Sequence, residues 1–599
     1  MTTQTIPEMF LDVCSRFVGN TTKVAYASKV NGAWHKLTHD VLRENVELFA
    51  DGLMRYGIVP GERVGIVSEN RTEWAVVDFA MTGVGIIDVP IFPTLTAHQI
   101  QYIFTNCEAT AVIVSNQAQL NKILEVWDEM PTVRLIVTMN QHTSNNPRVV
   151  SIMDVMERSR RESTAQERRT KYETLARRVR SEDLLTLIYT SGTTGNPKGV
   201  MLTHGNLIAN ISAALQIISV TDQDTFLSYL PMSHSYERMT GIYLAFAAGS
   251  TVYIAESIES VAELMKEVRP TIMTSVPRLF ERIRTRVLGA VERDSKAKQL
   301  IFKWAMDVGK QWVGGKRGLW LSAQHALADK LVFSKIRART GGLLRFFVSG
   351  GAALNVEVGN FFNIIGLTII EGYGLTESSP VIAVHRVEDI VLGTVGPPLP
   401  NVEVRIATDG EILARGPSIM KGYWKDDAAT DQSIDSDGFL HTGDIGAIND
   451  KGHLVITDRK KHILVSSGGK NIAPQPVEAV LLQSPFIDQV LLIGDGREYC
   501  TALIVPDAEA LKVWAKKNNI EHGTLEALVA SHELHSAIEK DINVLQHHLA
   551  KYERVRRFAV IPTPFTVENG MLTPTLKVKR KVVTTTYATL IDNLYGKSE

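Results

Sequence analysis

The sequence predicts an α/β protein in two parts. A large N-terminal domain, residues 1–457, carries two parallel-type α/β subdomains and a small β subdomain; a smaller C-terminal α/β domain covers 458–599. Three observations predict this. Short Val- and Ile-rich runs alternate with amphipathic helical patterns over the first two-thirds of the chain, as in folds with a parallel sheet. From 393 to 456 the runs shorten and are broken by Pro and Gly. Beyond Asp458 the alternation resumes.

In chain order, the runs at 64–67, 111–114 and 135–137 read as buried parallel strands, with a helix around 97–104 between them. Residues 157–180 are dense in Arg and Glu and read as a solvated helix or connector. Strands follow at 185–189, 251–254 and 345–348, then short β runs at 402–406, 411–414 and 454–456. In the last domain 490–493 and 501–505 read as strands. Ile538, Ile542, Leu545 and Leu549 recur at helical spacing.

The 599 residues, 44% hydrophobic and 22% charged, rule out a disordered, collagen-like or coiled-coil chain. Lys+Arg 64 against Asp+Glu 65 leaves a net charge of −1, so no global field favours nucleic acid. Cys14, Cys107 and Cys500 are far apart and form no disulfide or zinc pattern, which fits a reducing cytoplasm. The start lacks a secretory pattern, and no uncharged stretch reaches the ~18–20 residues of a membrane span. A soluble, cytoplasmic protein is expected.

The segment Tyr189-Thr-Ser-Gly-Thr-Thr-Gly-Asn-Pro-Lys198-Gly follows an apolar strand. Its glycines let backbone N–H groups approach an anion, its hydroxyls add donors, and Lys198 adds charge. It suits a triphosphate, though a Walker A loop is excluded because Gly-Lys-Ser/Thr is missing. A flexible Gly/Ser/Thr loop is the bland alternative.

This segment resembles the signature loop of the adenylate-forming superfamily of acyl-CoA synthetases, luciferases and adenylation domains. Further motifs follow in that family's order: Leu230-Pro-Met-Ser-His234, Gly372-Tyr-Gly-Leu-Thr-Glu377, His441-Thr-Gly-Asp444, Asp458-Arg459-Lys-Lys-His-Ile, and Leu572-Thr-Pro-Thr-Leu-Lys577. The resemblance implies an adenylate-forming large domain and a mobile C-terminal domain pivoting near Asp458, where a polar, exposed junction would suit a hinge. It implies ATP binding by Thr190, Ser191, Gly192, Thr193, Thr194, Gly195 and Lys198. Tyr373 would stack on adenine, with Gly350 and Gly351 leaving room, and Gly374 would belong to the same pocket. Thr376 would bond the α-phosphate, Glu377 would ligate Mg2+, and Asp444 would accept from the ribose hydroxyls. Arg459 would reach ribose or phosphate, and Lys577 would bridge acyl carboxylate and α-phosphate. His234 would shape the carboxylate and pyrophosphate pocket. Gly468 and Gly469 would line a thiol tunnel for coenzyme A, although an ordinary β-turn fits them too.

Within the superfamily the chain resembles long-chain fatty acyl-CoA synthetases most, through Ser233-His-Ser-Tyr-Glu-Arg238 and a long insertion between Pro277-Arg-Leu-Phe-Glu-Arg282 and Val348-Ser-Gly-Gly-Ala352. No Trp lies in 230–240, where some members gate the acyl tunnel. The implied substrates are a fatty acid, ATP and coenzyme A. Alternatives are a fatty acyl-AMP ligase loading a carrier protein and a non-catalytic acyl- or nucleotide-binding regulator. Relatives include homodimers. Residues 310–339 are basic and carry Trp312 and Trp320, which suits peripheral contact with an anionic membrane; a solvated helix has the same composition.

Overall fold

The computed structural model describes residues 3–190, 196–316, 318–518, 520, 524–573 and 578–596. The chain forms two compact units. The first holds Met1–Arg405, Leu413–Thr442 and Ile448–Val455; the second holds Ile406–Ile412, Gly443–Ala447 and Ile456–Glu599.

Two eight-stranded sheets organise the first unit. In one, the strands Leu184–Thr190, Ile87–Ile91, Arg63–Val67, Ala109–Val114, Leu135–Thr138 and Val149–Ser151 run parallel in that order. Lys198–Thr203 and then Gly422–Tyr423 extend it antiparallel. In the other, Thr368–Gly374, Phe346–Ser349, Ile272–Ser275, Thr225–Ser228, Thr251–Ile254 and Val24–Val30 run parallel, with Val381–Val384 and Ala33–Thr38 as antiparallel edges. The interior strands are buried on both faces, so their sequences are continuously apolar rather than alternating.

The helices start where the local chemistry directs. Ala97–Asn106 begins at a reciprocal Thr96–Gln99 capping box. The Arg/Glu-dense stretch is not simply a solvated connector. It forms Ile152–Glu162 and Ala165–Ala176, broken where Thr164 caps the second helix. Both bury an inner face through Val155, Met156 and Tyr172. Asp51 receives Ser159 Oγ at 2.8 Å and Lys171 Nζ at 2.8 Å. Burial works against its charge, but the bonds from Arg55, Lys171 and Ser159 win and hold its carboxyl down at about 2.

Glu403–Ile406, Glu411–Arg415, Leu440–Ile448 and Leu454–Arg459 form a four-stranded sheet. The boundary between units crosses its strands. The second unit has its own three-stranded sheet, Ile487–Ile493, Cys500–Pro506 and Val555–Val560, and its own apolar cores. His532–Leu545 buries Leu534, Ile538 and Ile542, while Leu549 falls beyond the helix, past a tighter turn at Gln546–His548. Among the described residues no helix is long and apolar enough to cross a membrane.

Arg238 begins a wide π-helical turn, Arg238–Leu244, and is buried in the first unit. Its guanidinium donates to Asp88 Oδ1 at 3.0 Å, Asp78 Oδ1 at 2.5 Å, Thr186 Oγ1 at 2.9 Å and Tyr243 OH at 2.9 Å, and also to Asp88 Oδ2. Asp88 and Thr186 lie on the first sheet; Asp78 lies on the helix Thr72–Gly83. Burial holds the Asp78 carboxyl well above the usual range against the pull of Arg238. A buried cation facing buried carboxyls is tolerated because each charge finds a hydrogen-bonding partner. Beside it, Glu237 accepts from Ser228 Oγ at 2.5 Å and Thr274 Oγ1 at 2.6 Å. Burial raises it to about 7 despite those bonds.

Two stability outcomes are expected. Arg238→Met leaves two carboxyls facing each other and should lose ~3–5 kcal/mol in urea unfolding, as when one partner of a buried pair is removed. Glu237 has a folded value raised above its ordinary value of 4.5. Its favourable contribution is therefore complete below that value and is lost as pH rises through about 7. Over that window wild-type stability should fall by roughly 3 kcal/mol more than that of Glu237→Gln, measured by urea unfolding at several pH values.

Candidate active site

The hairpin Leu184–Thr190/Lys198–Thr203 brings Thr190 opposite Lys198. Ser191, Gly192, Thr193, Thr194 and Gly195 lie outside the described residues. Lys198 Nζ sits 5.2 Å from the centroid of the Tyr423 ring and 3.7 Å from Asp426 Oδ2. Tyr423 OH donates to Glu377 Oε1 at 2.9 Å. Three segments far apart in sequence thus meet at one tyrosine, whose ring face lies under the loop lysine and whose hydroxyl bonds the expected metal carboxylate. Burial, then the nearby Glu377, pushes the Tyr423 phenol up, so it stays a donor. Gly199 permits the packing: a Cβ there would fall 3.0 Å from the Tyr189 ring and 3.3 Å from Trp424 Cβ.

The segment Tyr373 to Glu377 leaves the second sheet beside this cluster. A Cβ on Gly374 would fall 1.7 Å from Pro380 O, which accepts from Leu375 N at 3.0 Å. Only glycine allows the turn that presents Thr376 and Glu377. Thr376 Oγ1 lies 3.1 Å from Ser235 Oγ, so the second and third motifs touch. His234 caps the turn that follows it, its Nδ1 accepting from Tyr236 N at 3.2 Å. A neutral ring with Nδ1 as acceptor carries its proton on Nε2. The His234 ring is 6.3 Å from that of Phe92.

Gly350 packs against the second motif. A Cβ there would fall 2.9 Å from the Tyr236 ring, whose hydroxyl donates to Val348 O at 2.9 Å. The side on which a Gly350 Cβ would stand is filled by Tyr236. Gly351, at φ +83, has only Val276 near its open side. Glu371, two residues before Tyr373, is buried and accepts from Leu354 N at 3.2 Å, tying the 350–354 segment to the strand. Burial raises its carboxyl to about 7.

In the second unit, Arg459 Nε pairs with Asp444 Oδ1 at 3.1 Å. Asp444 is buried and the Arg459 side chain is partly exposed. The expected exposed hinge is instead a buried Asp458. Its Oδ2 accepts from Gln475 N at 3.0 Å, at the start of the helix Pro474–Leu481, where a carboxylate complements the N-terminal partial charge. Burial pushes this carboxyl up. Gly468 and Gly469 form the tip of the hairpin joining Leu464–Val465 and Asn471–Ile472. Gly469 has φ +71 and nothing within 4 Å of its open side; Gly468 has only Ser466 Oγ at 3.9 Å. Lys577 lies outside the described residues.

Among the described residues no three His, Cys, Asp or Glu side chains cluster to hold a metal. A single carboxylate at Glu377 still fits Mg2+, which binds through one or two carboxylates plus substrate phosphates and keeps several waters. Sequence reasoning missed Tyr423 and Ser235. Ser235 directly follows His234 in the same motif, and that proximity is a usable signal. Tyr423 had none, since it reaches the site through strand pairing with Val200.

Two family patterns match the chain: "AMP-binding enzyme" over residues 15–424 and "AMP-binding enzyme C-terminal domain" over 461–599. A long-chain-fatty-acid–CoA ligase of Mycobacterium bovis is 35% identical over 583 residues, 96% of this chain and 94% of that protein. The peroxisomal long chain acyl-CoA synthetase 6 of Arabidopsis thaliana is 35% identical, covering 91% of this chain and 79% of its own. Among solved structures, the adenylation domain of a carboxylate reductase from Mycobacterium chelonae superimposes with TM-score 0.76 at 22% identity, over 99% of this chain and 91% of that one.

The two glycines give contrasting expectations in thermal or urea unfolding. Gly374→Ala should lose more than ~3 kcal/mol, because the added carbon meets backbone that cannot yield. Gly351→Ala should lose only ~1–2 kcal/mol, the cost of a left-handed backbone in open space.

Proposed function

Because the chain belongs to the AMP-binding enzyme family, we propose that it is an AMP-forming long-chain fatty acid:CoA ligase. The observation that carries this reading is 35% identity across 96% of the chain to a long-chain-fatty-acid–CoA ligase. The meeting of Lys198, Tyr423 and Glu377 supports it.

In the first half-reaction a carboxylate oxygen of the acid attacks the α-phosphorus of ATP. The bond to pyrophosphate breaks and acyl-AMP forms. Two anions must approach, so the residues have to neutralise charge and stabilise what develops on the phosphoryl oxygens. Lys198 and the hydroxyl-rich loop at 190–195 serve the β- and γ-phosphates. Thr376, steadied by Ser235, donates to the α-phosphate. Mg2+ entering with ATP would be held by Glu377 and would lower the phosphate charge. Tyr423 keeps Glu377 oriented by its hydrogen bond. Asp444 accepts from the ribose hydroxyls, and Arg459 is its charge partner. Lys577 bridges carboxylate and α-phosphate, and His234 shapes the carboxylate pocket.

In the second half-reaction the thiol sulfur of coenzyme A attacks the acyl carbonyl and AMP leaves. The loop carrying Gly468 and Gly469 lets pantetheine pass close to the backbone. Lys577 and this loop both belong to 458–599, the proposed moving domain with its pivot near Asp458. The buried cysteines accord with a reducing cytoplasm, where we place the enzyme, either as monomer or homodimer.

A fatty-acid panel with ATP and coenzyme A, separating acyl-AMP from acyl-CoA, tests the reading. Absence of both products with every long-chain acid would overturn it. Lys577→Ala should lose acyl-AMP formation by ~10²-fold or more yet still convert supplied acyl-AMP to thioester. Tyr423→Phe should slow the first half-reaction ~10-fold, with a raised Mg2+ requirement, and leave the second unchanged.

A further inference from the structure

The long crossover between the paired parallel strands Ile272–Ser275 and Phe346–Ser349 is helical. We propose that its outer face docks this protein on an anionic lipid surface. The inner faces of the crossover are occupied. Ala305, Val308 and Gly309 of the helix Lys296–Val313 are buried. A Cβ on Gly309 would fall 2.7 Å from Ile364, so this helix lies tight on Val356–Ile364. Trp312 stacks on His325 at 4.5 Å, joining it to the next helix, Leu319–Ala328, and Ala328 and Phe333 are buried below.

The outer face is apolar and uncovered. Leu319 is 94% exposed, Trp320 76%, Leu327 50% and Leu331 39%. Trp320 and Leu327 lie two turns apart on one face of the helix Leu319–Ala328, and Leu331 extends the exposed apolar stripe into the π-helical turn Asp329–Phe333. The helix Leu319–Ala328 contains no Lys, Arg, Asp or Glu. A surface helix of a soluble protein would carry charge there.

What surrounds the stripe selects the occupant. Residues 296–339 hold ten Lys or Arg and only two acids, Asp307 and Asp329. That local excess of eight positive charges stands in a chain with net charge −1. Asp329 is already paired with Arg337 at 2.7 Å. An open recess of about 480 Å³ at the end of the helix Lys296–Val313 is lined by Asp307, Lys310, Gln311, Gly314 and Lys316, and its two lysines suit a phosphate headgroup. A second copy of this face would bring the same positive charge against it. Leu and Trp inserted at the headgroup boundary, ringed by lysines, match an anionic bilayer. The inference rests on these surface residues and does not require the proposed reaction.

Co-sedimentation of the full chain with vesicles tests it, comparing phosphatidylcholine alone with equal parts phosphatidylcholine and phosphatidylglycerol. Binding is expected only to the anionic vesicles and should weaken with salt. Trp320→Ser combined with Leu327→Ser should reduce it ~10-fold or more, as should Lys316→Glu with Lys330→Glu. All four sites are exposed, so turnover of a short, water-soluble acid should be unchanged and reports folding. Wild-type protein that ignores anionic vesicles, or serine variants that sediment like wild type, would overturn the proposal. So would a drop in mass by light scattering in the serine variants, which would assign the stripe to a second copy. Failure of the ligase reading would show separately, as wild type that makes no acyl-CoA.

Discussion

The guanidinium of Arg238, enclosed by Asp78, Asp88, Thr186 and Tyr243, is the contact on which the arrangement of the large unit depends. It joins a turn that follows the second motif to a central strand of the first sheet. A buried cation accepts few geometries, because a donor left without an oxygen is costly. Both terminal nitrogens of Arg238 are bonded, and Nε alone has no partner among the described residues. Ser235 lies three residues before it and His234 four. Asn70 fixes the other side of the same motif, donating to Leu230 O at 2.7 Å and accepting from Met232 N at 2.9 Å. Held at both ends, the motif meets Thr376 at a fixed distance.

This divides the Ser-His-Ser-Tyr-Glu-Arg motif by role. Tyr236, Glu237 and Arg238 are buried and build the scaffold; Ser235 is buried too but reaches Thr376, and His234 alone in the motif is half-buried. Gly350 belongs with the scaffold, since the space above it is taken by Tyr236. A run of similar motif residues can therefore contain both chemistry and support, and the partner each side chain reaches separates them.

The same logic explains the crossover helices. They extend the sheet's chain connection well beyond what joins two neighbouring strands. Their roots pack on the core through Gly309 and Phe333, so the fold supports them without needing their outer surface. That leaves an apolar stripe and a concentrated positive charge available for another partner.

The sequence by itself determined the α/β class, most interior strands and the chemical types at the site. Buried parallel strands are continuous apolar runs, and phosphate chemistry demands glycines, hydroxyls and a cation in one short segment; both are local signals. The hairpin Val24–Val30/Ala33–Thr38 escaped notice; only its first strand reaches the rest of the sheet, by pairing with Thr251–Ile254 far along the chain. The pairing of Arg459 with Asp444 joins residues already expected at the site, but their contact is a matter of register between strands. Only the tertiary structure could bring Tyr423 between Lys198 and Glu377, because strand pairing, not chain proximity, carries it there. Burial, likewise a property of the whole fold, decided that Asp458 is enclosed, and that Glu237 and Glu371 titrate near 7.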